Sequence, residues 1–191
     1  VAGCLGAAKL VVALASDPTT PIATANAEVV DPIEVNPAKA CLVGNQVFHV
    51  EGNDPVLNGS LTVTDGTWTF PPTGVNPDFW RARLTLPGQT ETWSLDFNAT
   101  MLPGALLVGK VYEDIRRAEF AVTDQVPGHA ALYVGRSGFE CTTVTGTFQV
   151  VEYAVDFSTP DPGTKVATFY FEQHCNGDPT TALAGCVHFK P

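Results

Sequence analysis

Positive charge is scarce in this sequence. Its 191 residues hold 10 Lys and Arg against 20 Asp and Glu, a formal charge of −10, and charged residues of both signs make up only 16%. A chain with that balance repels phosphate backbones and anionic lipid, so no nucleic-acid partner is expected. Long apolar runs are missing as well. None approaches the ~20 residues that cross a bilayer as a helix, so no membrane span is expected. There is no C-x-x-C pair, which leaves zinc ribbons and c-type haem without support. There is no G-x-S-x-G elbow and no D-x-D-x-D-G loop, so neither a serine hydrolase nor an EF-type Ca²⁺ site is indicated. The four histidines, His49, His129, His174 and His188, include no pair spaced i, i+2 or i, i+4. We read them as structural and expect no metal and no other cofactor.

What is present is apolar mass and cysteine. Hydrophobic residues make up 45%, enough for a packed core in one domain of this length. The five cysteines, Cys4, Cys41, Cys141, Cys175 and Cys186, point to disulfides in an oxidising compartment. The start, Val1-Ala2-Gly3-Cys4, matches the small-residue pattern before the lipid-carrying cysteine of a bacterial lipoprotein. A basic and a longer apolar stretch would normally precede such a site. We therefore read Cys4 as structural, with a lipid anchor as the alternative, and expect that processing removed something ahead of Val1.

The chain reads as an N-terminal arm with a Pro/Thr/Ala-rich connector (1–40), followed by a β domain (41–191). In the arm, Leu10-Val11-Val12-Ala13-Leu14-Ala15 is too short to span a bilayer. It is either a short helix or a strand with Leu10, Val12 and Leu14 on one face. From Cys41 onward, short Val-, Thr- and aromatic-rich runs alternate with turn residues, the mark of an all-β fold. Thr92-Trp93-Ser94-Leu95-Asp96-Phe97 puts Trp93, Leu95 and Phe97 on one side, which we take as core. Ser60 to Thr64 leads through Asp65-Gly66 into Thr67 to Phe70, a strong hairpin signal. Only Val111 to Ala118 has the pattern of a short helix. A sheet with one apolar face must be covered by another sheet, so the expectation is an antiparallel β-sandwich or barrel-like sandwich with an extended N-terminal arm.

One group of segments resembles a known module. Gly138-Phe139-Glu140-Cys141-Thr142-Thr143-Val144-Thr145-Gly146-Thr147-Phe148-Gln149-Val150, then Phe171-Glu172-Gln173-His174-Cys175-Asn176-Gly177, then Ala182-Leu183-Ala184-Gly185, resemble a β-rich module of secreted and cell-surface bacterial proteins. That module reads G-x-x-C-N-x-L-T-G-x-F-x-V, F-x-Q-H-C-E-G and a-L-x-G, and it has no known enzymatic activity. Trp93 to Phe97, Val111-Tyr112 and Arg117 to Phe120 resemble its upstream stretches, so the likeness covers roughly residues 60–190. Thr142, Asn176 and the additional Cys186 depart from it. The resemblance implies an extracytoplasmic bacterial β domain and no chemistry.

The residues support a compatible picture. Cys141 opens a strand and Cys175 closes a later one, which favours a bridge between them. Cys4–Cys41 is a weaker pairing that would tie the arm to the domain, leaving Cys186 as a buried thiol. His174 is placed to hydrogen-bond a turn backbone. Trp80, with Phe79, lies in a loop entering a strand and is the candidate for an exposed aromatic ligand platform. The carboxylates of Glu113, Asp114 and Asp161 are read as solvated rather than catalytic.

These readings give a non-catalytic extracellular or cell-surface structural or interaction module. A subunit of a surface filament is one form of it, with Leu10, Val12 and Leu14 as an assembly arm and other copies or another surface protein as partners. The arm packs either on its own domain or on a neighbour. The alternative function is a glycan- or divalent-cation-binding module on a secreted or lipid-anchored protein.

Overall fold

The structure is a computed structural model that describes residues 8–14, 17–27, 41, 44–71, 75–118, 126–156 and 163–191. The chain divides between Pro32 and Ile33 into two units. In the first, Ala8–Leu14 (β1) pairs antiparallel with Asp17–Ala27 (β2). Of the two forms open to the apolar run, the strand is the one adopted. The stretch read as a connector supplies its partner. The register slips at Ala13, which lies opposite Pro21, a residue with no N–H to give to a ladder.

The second unit is all-β. Its strands in chain order are Gln46–Asp54 (β3), Leu57–Val63 (β4), Thr67–Thr69 (β5), Val75–Asn76 (β6), Phe79–Thr85 (β7) and Thr92–Asn98 (β8). They continue with Val111–Tyr112 (β9), Arg116–Arg117 (β10), Ala131–Arg136 (β11), Val144–Asp156 (β12), Gly163–Cys175 (β13) and Leu183–Phe189 (β14). Sheet one runs β4-β3-β14-β13-β12-β9, and sheet two runs β10-β11-β8-β7-β5 with β6 beside β7. Every pairing in them is antiparallel except β10 with β11.

The two sheets share one core, as a sandwich requires. Trp80, Ala82 and Leu84 of β7, Trp93, Leu95 and Phe97 of β8, and Leu132 and Val134 of β11 meet Phe48, Phe148, Phe169, Phe171 and Val187 of sheet one. Phe97 stacks on Phe169 across the layers at 4.3 Å between ring centroids. The Trp80 indole packs against Phe97 and Phe169, and its Nε1–H donates to Thr164 Oγ1 at 3.1 Å.

A polar bridge joins the layers too. Gln173 on β13 is fully buried. Its Nε2–H donates to the Val134 carbonyl, and its Oε1 accepts from the Val134 N–H, both at 2.8 Å. The reason lies in the topology. Strand β10 meets β11 at Ala131 and Leu132, and among the described residues Val134 has no strand partner on that edge. The glutamine amide supplies the missing donor and acceptor, which a buried backbone needs.

Two disulfides close the unit. Cys141–Cys175 forms as the sequence suggests, between the β11–β12 connection and the end of β13, within the shared core. Cys41 bonds to Cys186, not to Cys4. Cys186 is therefore not a free thiol, and Cys4 lies outside the described residues. The pleat explains the pairing: Val187 and Phe189 point into the shared core, which leaves Cys186 on the other face with Cys41, Val47 and Tyr170.

Other local expectations are corrected. The Asp65-Gly66 step is not a hairpin, because β4 pairs with β3 and β5 pairs with β7, so the chain crosses between sheets there. Gly66 packs closely there, since a Cβ would meet Leu84 Cδ1. Val111 to Ala118 is not helical. It contains β9 and β10, separated by Asp114 in the left-handed region (φ 48°), which ends any helix.

Candidate functional site

The aromatic platform is overturned first. Trp80 is fully buried and Phe79 nearly so. The strand begins at Phe79, directly after the Pro77-Asp78 turn that joins it to β6. Its pleat then puts Trp80 with Ala82 and Leu84 against the core.

The same pleat places Arg81 and Arg83 on the opposite, outer face. The register carries that face across three strands. Arg81 lies beside Asp96, which lies beside Tyr133; Arg83 lies beside Ser94, which lies beside Gly135. Gly135 makes room for its neighbour, since a Cβ there would fall 2.5 Å from the Tyr133 hydroxyl. Arg117 from β10 sets its guanidinium 5.6 Å from the Tyr133 ring centroid. Arg136, at the end of β11, covers the Phe139 ring at 4.1 Å. All five arginines of the chain, Arg81, Arg83, Arg116, Arg117 and Arg136, stand on strands of this sheet.

Two adjoining hollows open on this face. One of about 90 Å³ is lined by Arg81, Asp96 and Arg117, and one of about 220 Å³ by Thr92, Arg136, Ser137 and Glu140; Arg83, Ser94 and Tyr133 line both. Their charges are unevenly partnered. Arg81 Nε–H donates to Asp96 Oδ2 at 2.5 Å, and its terminal nitrogen reaches the same oxygen. The other carboxylate oxygen, Asp96 Oδ1, is buried without a hydrogen-bond partner among the described residues. Burial pushes the Asp96 carboxyl up to about 7 against the opposing pull of Arg81. Arg136 meets Glu91 at 3.4 Å and Arg117 meets Glu140 at 3.8 Å. Both distances exceed the ~2.7–2.9 Å of a tight charge-assisted bond. Arg83 is exposed and has no ion pair among the described residues. Burial and the nearby Glu140 raise the Tyr133 hydroxyl, so it serves as a hydrogen-bonding group and not as a base. The arrangement is suited to holding an anion.

The remaining sequence candidates are placed as follows. Leu10, Val12 and Leu14 are on β1. His174 does brace a turn, with Nδ1–H donating to the Thr181 carbonyl at 2.6 Å and Nε2 at 3.0 Å from Glu172 Oε1. His49 contacts Thr62, His188 contacts Thr168, and His129 contacts the Asp114 carbonyl, so each histidine serves its own neighbourhood. Asp114 pairs with Arg116 and lies 3.2 Å from His129; Asp161 lies outside the described residues. Asp54, Cys141 and Cys175 bring an oxygen and two sulfurs together, but the sulfurs are bonded to each other and are not free to hold a metal.

The arginine face escaped the sequence reading, although Arg81-Ala82-Arg83 carried a usable signal. Two cations spaced i, i+2 in a strand must share a face, and Trp80 and Leu84 around them identify the other face as core. Compared with models of protein families, with curated proteins and with solved structures, the chain matches none of them.

Proposed function

We propose that this chain is a non-catalytic, extracytoplasmic interaction module whose recognition surface is the arginine face of sheet two. The observation that carries this reading is the gathering of all five arginines of a −10 chain on one sheet, with Arg83 exposed and lacking an ion pair among the described residues. The two disulfides suit an oxidising compartment such as the bacterial cell surface. A sandwich fixed in this way holds a binding face on rigid strands, where side-chain positions are better defined than on loops.

The test is cosedimentation of the purified full chain with cell envelopes of the producing organism. The wild type is expected in the pellet, and the double variant Arg83→Ala/Arg136→Ala in the supernatant with its thermal unfolding unchanged. Equal sedimentation of both proteins would place recognition elsewhere.

A further inference from the structure

Asp54, the last residue of β3, is a carboxylate whose bonding is half met. It is only 2% exposed. Its Oδ1 accepts from the Val56 N–H at 2.6 Å, while Oδ2 is buried with no hydrogen-bond partner among the described residues. Burial raises the carboxyl above its ordinary 3.8, against the pull of the Val56 N–H, His174 and the Cys175 N–H. A buried oxygen in this condition calls for a donor or a cation. Beside it lie two sulfurs: a carboxylate oxygen of Asp54 and the Sγ atoms of Cys141 and Cys175 are all within 4.8 Å of one another. While the cystine is intact its sulfurs carry no charge. Two thiolates in the same place would complete a set of three ligands.

The frame around the sulfurs does not depend on their bond. The Thr142 N–H and hydroxyl both donate to Asn176 Oδ1 at 2.7 Å, and the Asn176 N–H donates to the Thr143 carbonyl at 2.9 Å. These bonds join the residues that follow each cysteine, and Val144 pairs with Cys175 at the start of the β12–β13 ladder. Opening the cystine therefore leaves the sulfurs close, free to part to the roughly 3.8 Å that two thiolates span on a tetrahedral Zn²⁺. Gln173 Nε2 stands 3.7 Å from Cys141 Sγ and brings an N–H toward the thiolate charge. Two sulfurs and one oxygen suit zinc and not the hard cations Ca²⁺ and Mg²⁺, with water in the fourth position.

We propose that reduction of Cys141–Cys175 turns this corner of the sandwich into a Zn²⁺ site, ligated by both thiolates and Asp54. In the reduction a dithiol gives two electrons and two protons to the sulfur–sulfur bond and departs as its own disulfide, leaving two thiols. Zn²⁺ then displaces both thiol protons to solvent. The site is separate from the arginine face, and neither reading rests on the other.

The test is titration of the full chain with Co²⁺ as the spectroscopic probe, after reduction by a water-soluble phosphine. The thiolate-to-cobalt charge-transfer band is expected from the reduced protein at one Co²⁺ per chain, none is expected from the oxidised protein, and Zn²⁺ should bleach it. Zn²⁺ should also raise the thermal midpoint of the reduced wild type. Cys141→Ala should abolish the band; since the wild type is itself reduced here, that variant removes a ligand and no bridge. Asp54→Asn should weaken Co²⁺ binding tenfold or more. No band from the reduced wild type, or unchanged affinity in Asp54→Asn, would overturn the proposal. A band that survives in Cys141→Ala but vanishes in Cys41→Ala/Cys186→Ala would place the metal on other cysteines and overturn it too. So would a reduced chain that stays unfolded with Zn²⁺ present, read by tryptophan fluorescence.

Discussion

Replacing Gln173 by Leu removes the polar bridge between the sheets while nearly preserving side-chain volume. In the native protein this amide meets the Val134 N–H and carbonyl at 2.8 Å each, in a position with no solvent access. Leucine leaves both backbone groups buried and unpaired. At roughly 1–3 kcal/mol for each orphaned group, the variant should lose about 2–6 kcal/mol. That is a large share of the ~5–15 kcal/mol by which domains are stable. Gln173→Glu keeps the acceptor for the Val134 N–H but loses the donor and buries an ionisable group. It should be weaker at pH 7 than at pH 4, where the acid is neutral. Urea unfolding followed by the fluorescence of buried Trp80 and Trp93 gives the free energies, and amide exchange at Val134 gives the local effect. A loss below about 1 kcal/mol in the leucine variant, with Val134 still protected, would refute the idea that this side chain satisfies the Val134 backbone groups.

Three further outcomes follow from the structure. Because burial raises the Asp96 carboxyl to about 7 from an ordinary 3.8, the native state holds a proton that the unfolded chain has lost between those values. Stability should therefore fall as pH rises through that window, at up to ~1.4 kcal/mol per pH unit from this group. In Asp96→Asn the slope, measured by denaturant titration at several pH values, should flatten; the smaller contribution of Asp54, also raised by burial, remains. Serine replacement of Cys41 and Cys186 opens a loop of 145 residues, against 34 for Cys141 and Cys175. The chain-entropy account then expects losses of roughly 5 and 4 kcal/mol, and guanidinium midpoints of the two pair variants should follow that order. Gly146→Ala combines a positive φ of 138° with a Cβ that would strike the Glu172 carbonyl oxygen. It should lower the melting temperature, whereas alanine at exposed, unobstructed Gly163 should leave it nearly unchanged.

The core was legible wherever a strand alternates cleanly. Trp93, Leu95 and Phe97 share a face on β8 and are all buried, as their spacing says. Reading failed where the answer depends on parity or on distant neighbours. Trp80 was misplaced because the strand was taken to begin after it; the strand begins at Phe79, and its alternation puts Trp80 inside with Ala82 and Leu84. The Cys41–Cys186 bond depends on the pairing of β3 with β14, strands more than 130 residues apart. No local pattern reports that neighbour relation. Asp65-Gly66 has the composition of a tight hairpin, yet its glycine meets a close approach of Leu84 where the chain changes sheet. The partners of Gln173 were hidden for a similar reason: the sequence shows a polar residue on the strand face between Phe171 and Cys175, and only the pairing of β11 shows which edge it serves. The arginine face was within reach, since the alternation that places Trp80 and Leu84 inside fixes Arg81 and Arg83 outside.

The proposed extracytoplasmic role requires that the two sheets be held by a particular pair of cystines. Proteolysis of the unreduced protein taken from its natural source, with mass spectrometry of the linked peptides, addresses that directly. The structure predicts one linked pair containing Cys41 and Cys186 and another containing Cys141 and Cys175. Free thiols at these four positions, or a peptide joining Cys4 to Cys41, would contradict it.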